Sequence, residues 1–156
     1  MRIGMKTIAR GAVIAAVYVI LNYLLLPISF GIIQFRVAEA LVVLPIIYPE
    51  AIFGVFIGCL LSNIIGGLGP WDIFGGSAVT LLAAWVTYRY RHHSGIAYLS
   101  PVVFNAILIS LYLSQIFGVP YWMTAFSIAA GEAGVVFLLG VPLVRYLRRF
   151  AARDRA

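Results

Sequence analysis

Arg36 and Glu39 stand three residues apart in the stretch Gln34-Phe-Arg-Val-Ala-Glu-Ala-Leu-Val-Val-Leu-Pro45. A helix brings side chains at that spacing onto one face, within reach of each other. The chemistry open to them is charge-assisted hydrogen bonding, either to each other as a structural ion pair or to a polar guest. The flanking sequence is almost wholly apolar, so both groups are expected inside a membrane. Ionisable side chains there face a bundle interior or a wet cavity and are candidate functional groups. Asn63, Asp72, Asn105 and Glu132 are further polar residues in apolar surroundings. Glu132 has no basic partner on its own segment, so it needs a ligand, a proton or Arg36.

The bulk numbers fix the setting. The chain has 156 residues, is 63% hydrophobic and only 10% charged, with a mean hydropathy of +1.05. A soluble domain carries about a quarter charged residues, so this composition predicts an integral membrane protein. Residues 1–156 hold about six spans of 20 residues joined by short loops, a single membrane domain with a basic tail at about 147–156. The first segment is too long, and lacks the small-residue cleavage site, to be a removable signal peptide. The lone cysteine, Cys59, excludes an internal disulfide. A pI near 9.8 raises the possibility of a nucleic-acid partner, but the basic residues sit at segment ends, where membrane anchoring accounts for them.

Pro and Gly punctuate the chain. The first apolar run opens after Arg2, Lys6 and Arg10, reaches about Leu26 and stops at Pro27. A loop over 28–33 leads into the short Gln34 stretch, broken by Pro45 and Pro49. A third run covers about Ala51 to Ile65 and ends in Gly66-Gly-Leu-Gly-Pro70. The fourth begins near Trp71-Asp72 and ends at Arg89-Tyr-Arg-His-His93. The fifth runs from about Ile96 to Phe117 and breaks at Gly118-Val-Pro120; the sixth runs from Tyr121 to about Tyr146.

Six membrane-spanning helices put both termini on one side. Ten of the eleven Lys and Arg residues then fall on that side, Arg36 being the exception. By the positive-inside rule that side is the cytoplasm of a multi-pass plasma-membrane protein. Arg36, Glu39, Asp72, Tyr121 and Trp122 then lie in the outer half. Glu132, eleven residues into the inward-running sixth helix, is placed roughly 16 Å down. Asn105 reaches a comparable depth from inside, and together these groups form a set opening outward.

Small residues recur at Gly54, Gly58, Ser62 and Gly66 and at Ala125, Ala129 and Ala133, a spacing that lets helices approach closely in lipid. Ala12 and Ala16, beside Thr7, Gly11 and Ala15, give the first helix a broad smooth face, suited to internal packing or to docking on another membrane subunit. Tyr121, Ala125, Ile128 and Glu132 share one stripe, and Asn105, Leu108, Tyr112 and Gln115 another. Facing each other they would line a pocket, although aromatics near the outer surface also fit an interfacial belt. Asp72 after Pro70-Trp71 also suits a helix cap. Asn63 suits either an interhelix bond or the pocket. His92 and His93 are adjacent, so they diverge on a helix, and no metal site is expected.

Several chemistries have no motif here. There is no Gly-x-x-x-x-Gly-Lys-Ser/Thr phosphate loop, no His-Glu-x-x-His and no Gly-x-Ser-x-Gly turn, hence no catalytic residues, no cofactor and no self-driven ATP hydrolysis to expect. Six short helices without an obvious repeat are few for a self-sufficient alternating-access carrier. A membrane binder driven by partner subunits fits better than an enzyme.

Four segments, Gln34–Pro45, Gly66-Gly-Leu-Gly-Pro-Trp-Asp-Ile73, Val103-Phe-Asn-Ala106 and Gly131-Glu132, resemble the queuosine-precursor transporter (QueT) family, in order along all six predicted helices. The resemblance implies a substrate-binding S component of an energy-coupling-factor (ECF) importer, with a six-helix fold and a ligand site on the outer side. It also implies partners, a scaffold transmembrane subunit and two ATPases, and Ala12 and Ala16 match the Ala-x-x-x-Ala face through which S components dock. The implied ligand is a 7-deazaguanine such as preQ1 or queuine. The residue chemistry is compatible with it: Glu39, Asp72 and Glu132 outnumber Arg36 by two, and a carboxylate accepts two N–H donors from a purine-like edge. Trp71, Tyr112, Tyr121 or Trp122 suit stacking on a flat ring. The expected substrate-binding set is therefore Arg36, Glu39, Asn63, Trp71, Asp72, Asn105, Tyr112, Tyr121 and Glu132. An S component or stand-alone permease for another flat heterocycle, and a membrane assembly subunit without a small ligand, stay open as alternatives.

Overall fold

A computed structural model describes residues 4–25 and 36–153, with side chains to Phe150. Pro27, the loop expected at 28–33 and Gln34 lie outside the described residues. The described chain is all-helical, without strands, and its six helices follow the predicted order. They are α1 (Met5–Leu24), α2 (Val37–Ile46) and α3 (Ala51–Ile65), then α4 (Trp71–Gly76 running on through Ser77–Arg89). Helix α5 joins Ser94–Phe104, Asn105–Ile109 and Ser110–Phe117, and α6 joins Tyr121–Val135, Val136–Gly140 and Val141–Arg153. Met5–Leu24, Ser94–Phe117 and Tyr121–Phe150 are long and apolar enough to cross a membrane, whereas α2 and α3 are shorter apolar helices. Helix α6 carries on to Arg153, through the described part of the basic tail expected from about 147.

Helix α2 is the centre of the bundle and contacts every other helix. Every residue from Ala38 to Ile46 is buried, as a helix apolar on all sides requires. It is wound as a 3₁₀ helix with Pro45 inside it. Ten residues is long for that geometry, and at about 2.0 Å per residue they extend roughly 20 Å. Neighbours are cut back to admit it: a Cβ on Gly140 of α6 would lie 2.9 Å from Val43 Cγ2.

The stripe on α3 packs internally against α1. A Cβ on Gly54 would fall 2.8 Å from the Gly11 carbonyl oxygen, and one on Gly58 would fall 2.7 Å from Tyr18 Cβ. Asn22 Nδ2 then donates to Ser62 Oγ at 3.3 Å. Ala129 and Ala133 on α6 likewise pack against the core. The face of α1 bearing Ala12 and Ala16 is different: both are exposed, together with Val13, Val17 and Ile20.

Pro101 sits inside α5, where it has no N–H for the carbonyl of Ala97. Thr87 of α4 supplies the missing donor, Oγ1 to Ala97 O at 3.1 Å, and shares a 2.7 Å bond with Ser100 Oγ. In α6, Pro142 lies just past the wide π turn of Val136–Gly140, an adjustment that accommodates its missing bond to Leu138. Gly118, at φ +65°, closes α5 in the left-handed conformation that glycine adopts without a steric penalty.

Candidate polar site at the centre of the bundle

The apolar spacing that buries α2 also carries its polar start inward. Arg36 precedes the first turn, and 3₁₀ winding eclipses residues three apart, so Glu39 stacks over Arg36. Glu39 N–H bonds the Arg36 carbonyl at 2.9 Å, and Arg36 Nε lies 3.8 Å from Glu39 Oε1. Both are buried. Glu39 Oε1 also accepts from the Tyr18 hydroxyl of α1 at 2.5 Å. Arg36 Nη2 reaches Tyr18 Oη at 3.3 Å, Asn63 Oδ1 of α3 at 3.3 Å and Cys59 Sγ at 3.5 Å.

Two arms leave this hub. In one, Asn63 Nδ2 donates to the Asp72 carbonyl oxygen at 2.6 Å, and the Tyr112 hydroxyl of α5 donates to Asp72 Oδ1 at 2.7 Å. Asp72 is half-buried and bonded across to α5, so its carboxyl does not serve as a cap for α4. In the other arm Asn105 Nδ2 donates to Glu132 Oε1 at 2.7 Å and lies 3.5 Å from Glu39 Oε2. One amide thus bridges two carboxyl groups from α2 and α6. Asn105 and Asp72 both sit in π turns, widened turns that recur at functional sites.

Glu132 is 4% exposed and, among the described residues, has no ion-pair partner. Burial of a carboxyl without a cation is unfavourable unless something else compensates it. Asn105 Oδ1 is also buried without a hydrogen-bond partner. Glu39 differs, since Arg36 and Tyr18 compensate it.

Seven of the nine expected residues, Arg36, Glu39, Asn63, Asp72, Asn105, Tyr112 and Glu132, join this network. Two stand apart. Trp71 is 62% exposed, and half-buried Tyr121 packs edge-on against Trp122, ring centroids 4.9 Å apart, while Trp122 is 80% exposed. Exposed aromatics near helix starts suit an interfacial belt better than a ligand contact. The two facing stripes meet only in part: Glu132 meets Asn105, and Ile128 packs with Ile109 and Val79, but Gln115 is exposed. Tyr18, Cys59 and Thr80, whose Oγ1 lies 3.5 Å from Cys59 Sγ, join the network without having been expected. A signal for Tyr18 existed: it follows Gly11 and Ala15 and precedes Asn22 on one helical stripe. Among the described residues no group of three His, Cys, Asp or Glu could hold a metal ion.

A family model described as QueT transporter matches residues 8–149. The chain belongs to the QueT transporter family. It is also 32% identical over 141 residues to the queuosine precursor transporter QueT of Lactococcus lactis subsp. cremoris (strain MG1363), with 81% of this chain and 83% of that protein covered. No solved structure matches. Family membership makes the chain a transport protein, and its long apolar helices point to a membrane. Within a transporter family, a continuous hydrogen-bonded network linking all six helices at the bundle centre is the natural candidate for the substrate site.

Proposed function

We propose that the chain is the substrate-capture subunit of an ECF-type importer, binding a queuosine precursor of the 7-deazaguanine class from the outer side of the plasma membrane. One observation supports this most: Glu132, buried and lacking a cation, beside an Asn105 amide whose oxygen has no partner. A guest offering an amine or an N–H-rich edge would satisfy both, the carboxyl as acceptor for paired donors and the amide oxygen for one more. Asp72 and Tyr112, half-buried, suit the outer rim of the same site. Arg36, Glu39 and Asn63 bond largely to one another and to Tyr18, which suits a scaffold that holds the site in shape. Trp71 and Tyr121 retain a role only if they fold inward over the ligand.

In this scheme the six helices form one membrane unit with cytoplasmic termini, and partner ATPases supply the energy for release. The exposed Ala12–Ala16 face of α1 is the proposed contact with the scaffold transmembrane subunit. Titration calorimetry of the purified chain against preQ1, queuine and riboflavin tests the substrate class. Binding of a deazapurine and not of riboflavin is expected; failure of every deazapurine to bind refutes the proposal. Uptake by this chain alone in liposomes would instead identify a self-sufficient permease.

A further inference from the structure

The far end of α6 carries charge that the central site does not use. Arg145, Arg148 and Arg149 are exposed, and spacings of three and four residues put them on one side of the helix. Among the described residues none of the three has an ion-pair or ring partner. Other arginines at helix ends are engaged: Arg10 with Glu50 at 3.5 Å, Arg89 over the Tyr90 ring at 5.8 Å, and Arg91 over Tyr88 at 4.4 Å. Interleaved with the three arginines are Tyr146 and Phe150, which pack at 4.9 Å between centroids and are 60% and 45% exposed. The opposite face of the same helix, Leu143, Val144 and Leu147, packs into the core.

Length places this cluster at the membrane surface. Helix α6 runs from Tyr121 to Arg153, a rise of roughly 50 Å at 1.5 Å per residue, while the hydrocarbon layer is about 30 Å thick. Its last turns therefore emerge at headgroup level. Exposed aromatics belong at that level, and guanidinium groups bind phosphate oxygens in pairs.

We infer that Arg145, Arg148 and Arg149, flanked by Tyr146 and Phe150, form a docking surface for anionic phospholipid headgroups. The arginines hold phosphodiester oxygens, and the two rings sit among the acyl-chain tops. Net positive charge, with no ion-pair partner for these arginines among the described residues, selects anionic over zwitterionic lipid.

The full-length purified chain is titrated in mixed micelles with phosphatidylglycerol or phosphatidylcholine, and retained lipid is read by native mass spectrometry. Wild type is expected to prefer phosphatidylglycerol at least tenfold, and the preference to fall with salt. The triple variant R145Q/R148Q/R149Q is expected to lose most of that preference while keeping its helical content. Arg148→Lys alone, which preserves charge, keeps the preference and guards against misfolding of the triple variant. Equal retention of the two lipids by wild type overturns the inference. So does an unchanged preference in the triple variant, or displacement of the lipid by millimolar inorganic phosphate alone. Loss of uptake in the triple variant with its lipid preference intact would assign the face to a protein partner instead, and would equally overturn it.

Discussion

Glu132→Gln separates a ligand-binding role from a structural one. The substitution keeps an oxygen for Asn105 Nδ2, which now donates at 2.7 Å, and removes the acid. No cation among the described residues depends on that acid, so the fold loses no ion pair. Replacing an acid buried without a cation by a neutral isostere is expected to leave the melting temperature unchanged or raise it. Ligand binding moves the other way. A hydrogen bond to a charged group contributes about 1.5–3 kcal/mol, against about 1 kcal/mol for a neutral one. The difference is near 1.4 kcal/mol, a tenfold loss of affinity. Calorimetry against preQ1 and a thermal melt of the same preparation read both quantities. Affinity within twofold of wild type would remove Glu132 from the ligand's surroundings, and a melting temperature several degrees lower would make it a structural residue.

Glu39→Gln is expected to behave oppositely in the melt. It leaves the buried Arg36 guanidinium without its carboxylate, a loss of about 3–5 kcal/mol for breaking a buried pair, and binding should weaken at least tenfold as the scaffold loosens. Thr87→Val leaves the Ala97 carbonyl with only the longer 3.3 Å bond from Ser100, and about 1 kcal/mol of stability should be lost in a denaturation series with no change in ligand affinity. Bulky residues at Ala12 and Ala16, both exposed, should abolish uptake in cells while calorimetric binding persists. Loss of both would show that the α1 face is needed for folding.

The order of the helices and most of their starts were legible because Pro and Gly mark them, whereas the sixth helix runs past the expected end near Tyr146 to Arg153 because its arginines continue the helix. The π turns and the 3₁₀ winding of α2 were not, since both depend on what packs around a helix and not on the apolar pattern within it. The Arg36–Glu39 contact was legible from spacing alone, and so was the meeting of Asn105 with Glu132 from stripes on successive helices. Asp72 could be read as a cap because Asp near a helix start commonly is one; only tertiary packing brings Tyr112 to it. Tyr18 escaped notice because a tyrosine in an apolar helix looks like core or belt. Its role depends on Gly58, which leaves room for the ring to pass α3 and reach Glu39. Trp71 and Tyr121 illustrate the reverse error, in which chemistry suited to a ligand is taken for proximity to one.

The tight pitch of α2 has a mechanical corollary. In a 3₁₀ helix each residue advances about 120°, in an α-helix about 100°. Rewinding α2 to the commoner form would swing Glu39 roughly 60° around the axis from Arg36 and shorten the ten-residue rod by about 5 Å. That retraction would draw the carboxyl away from Tyr18 and Asn105 in one movement. The angular register of a single buried rod therefore sets whether the six helices share one polar centre.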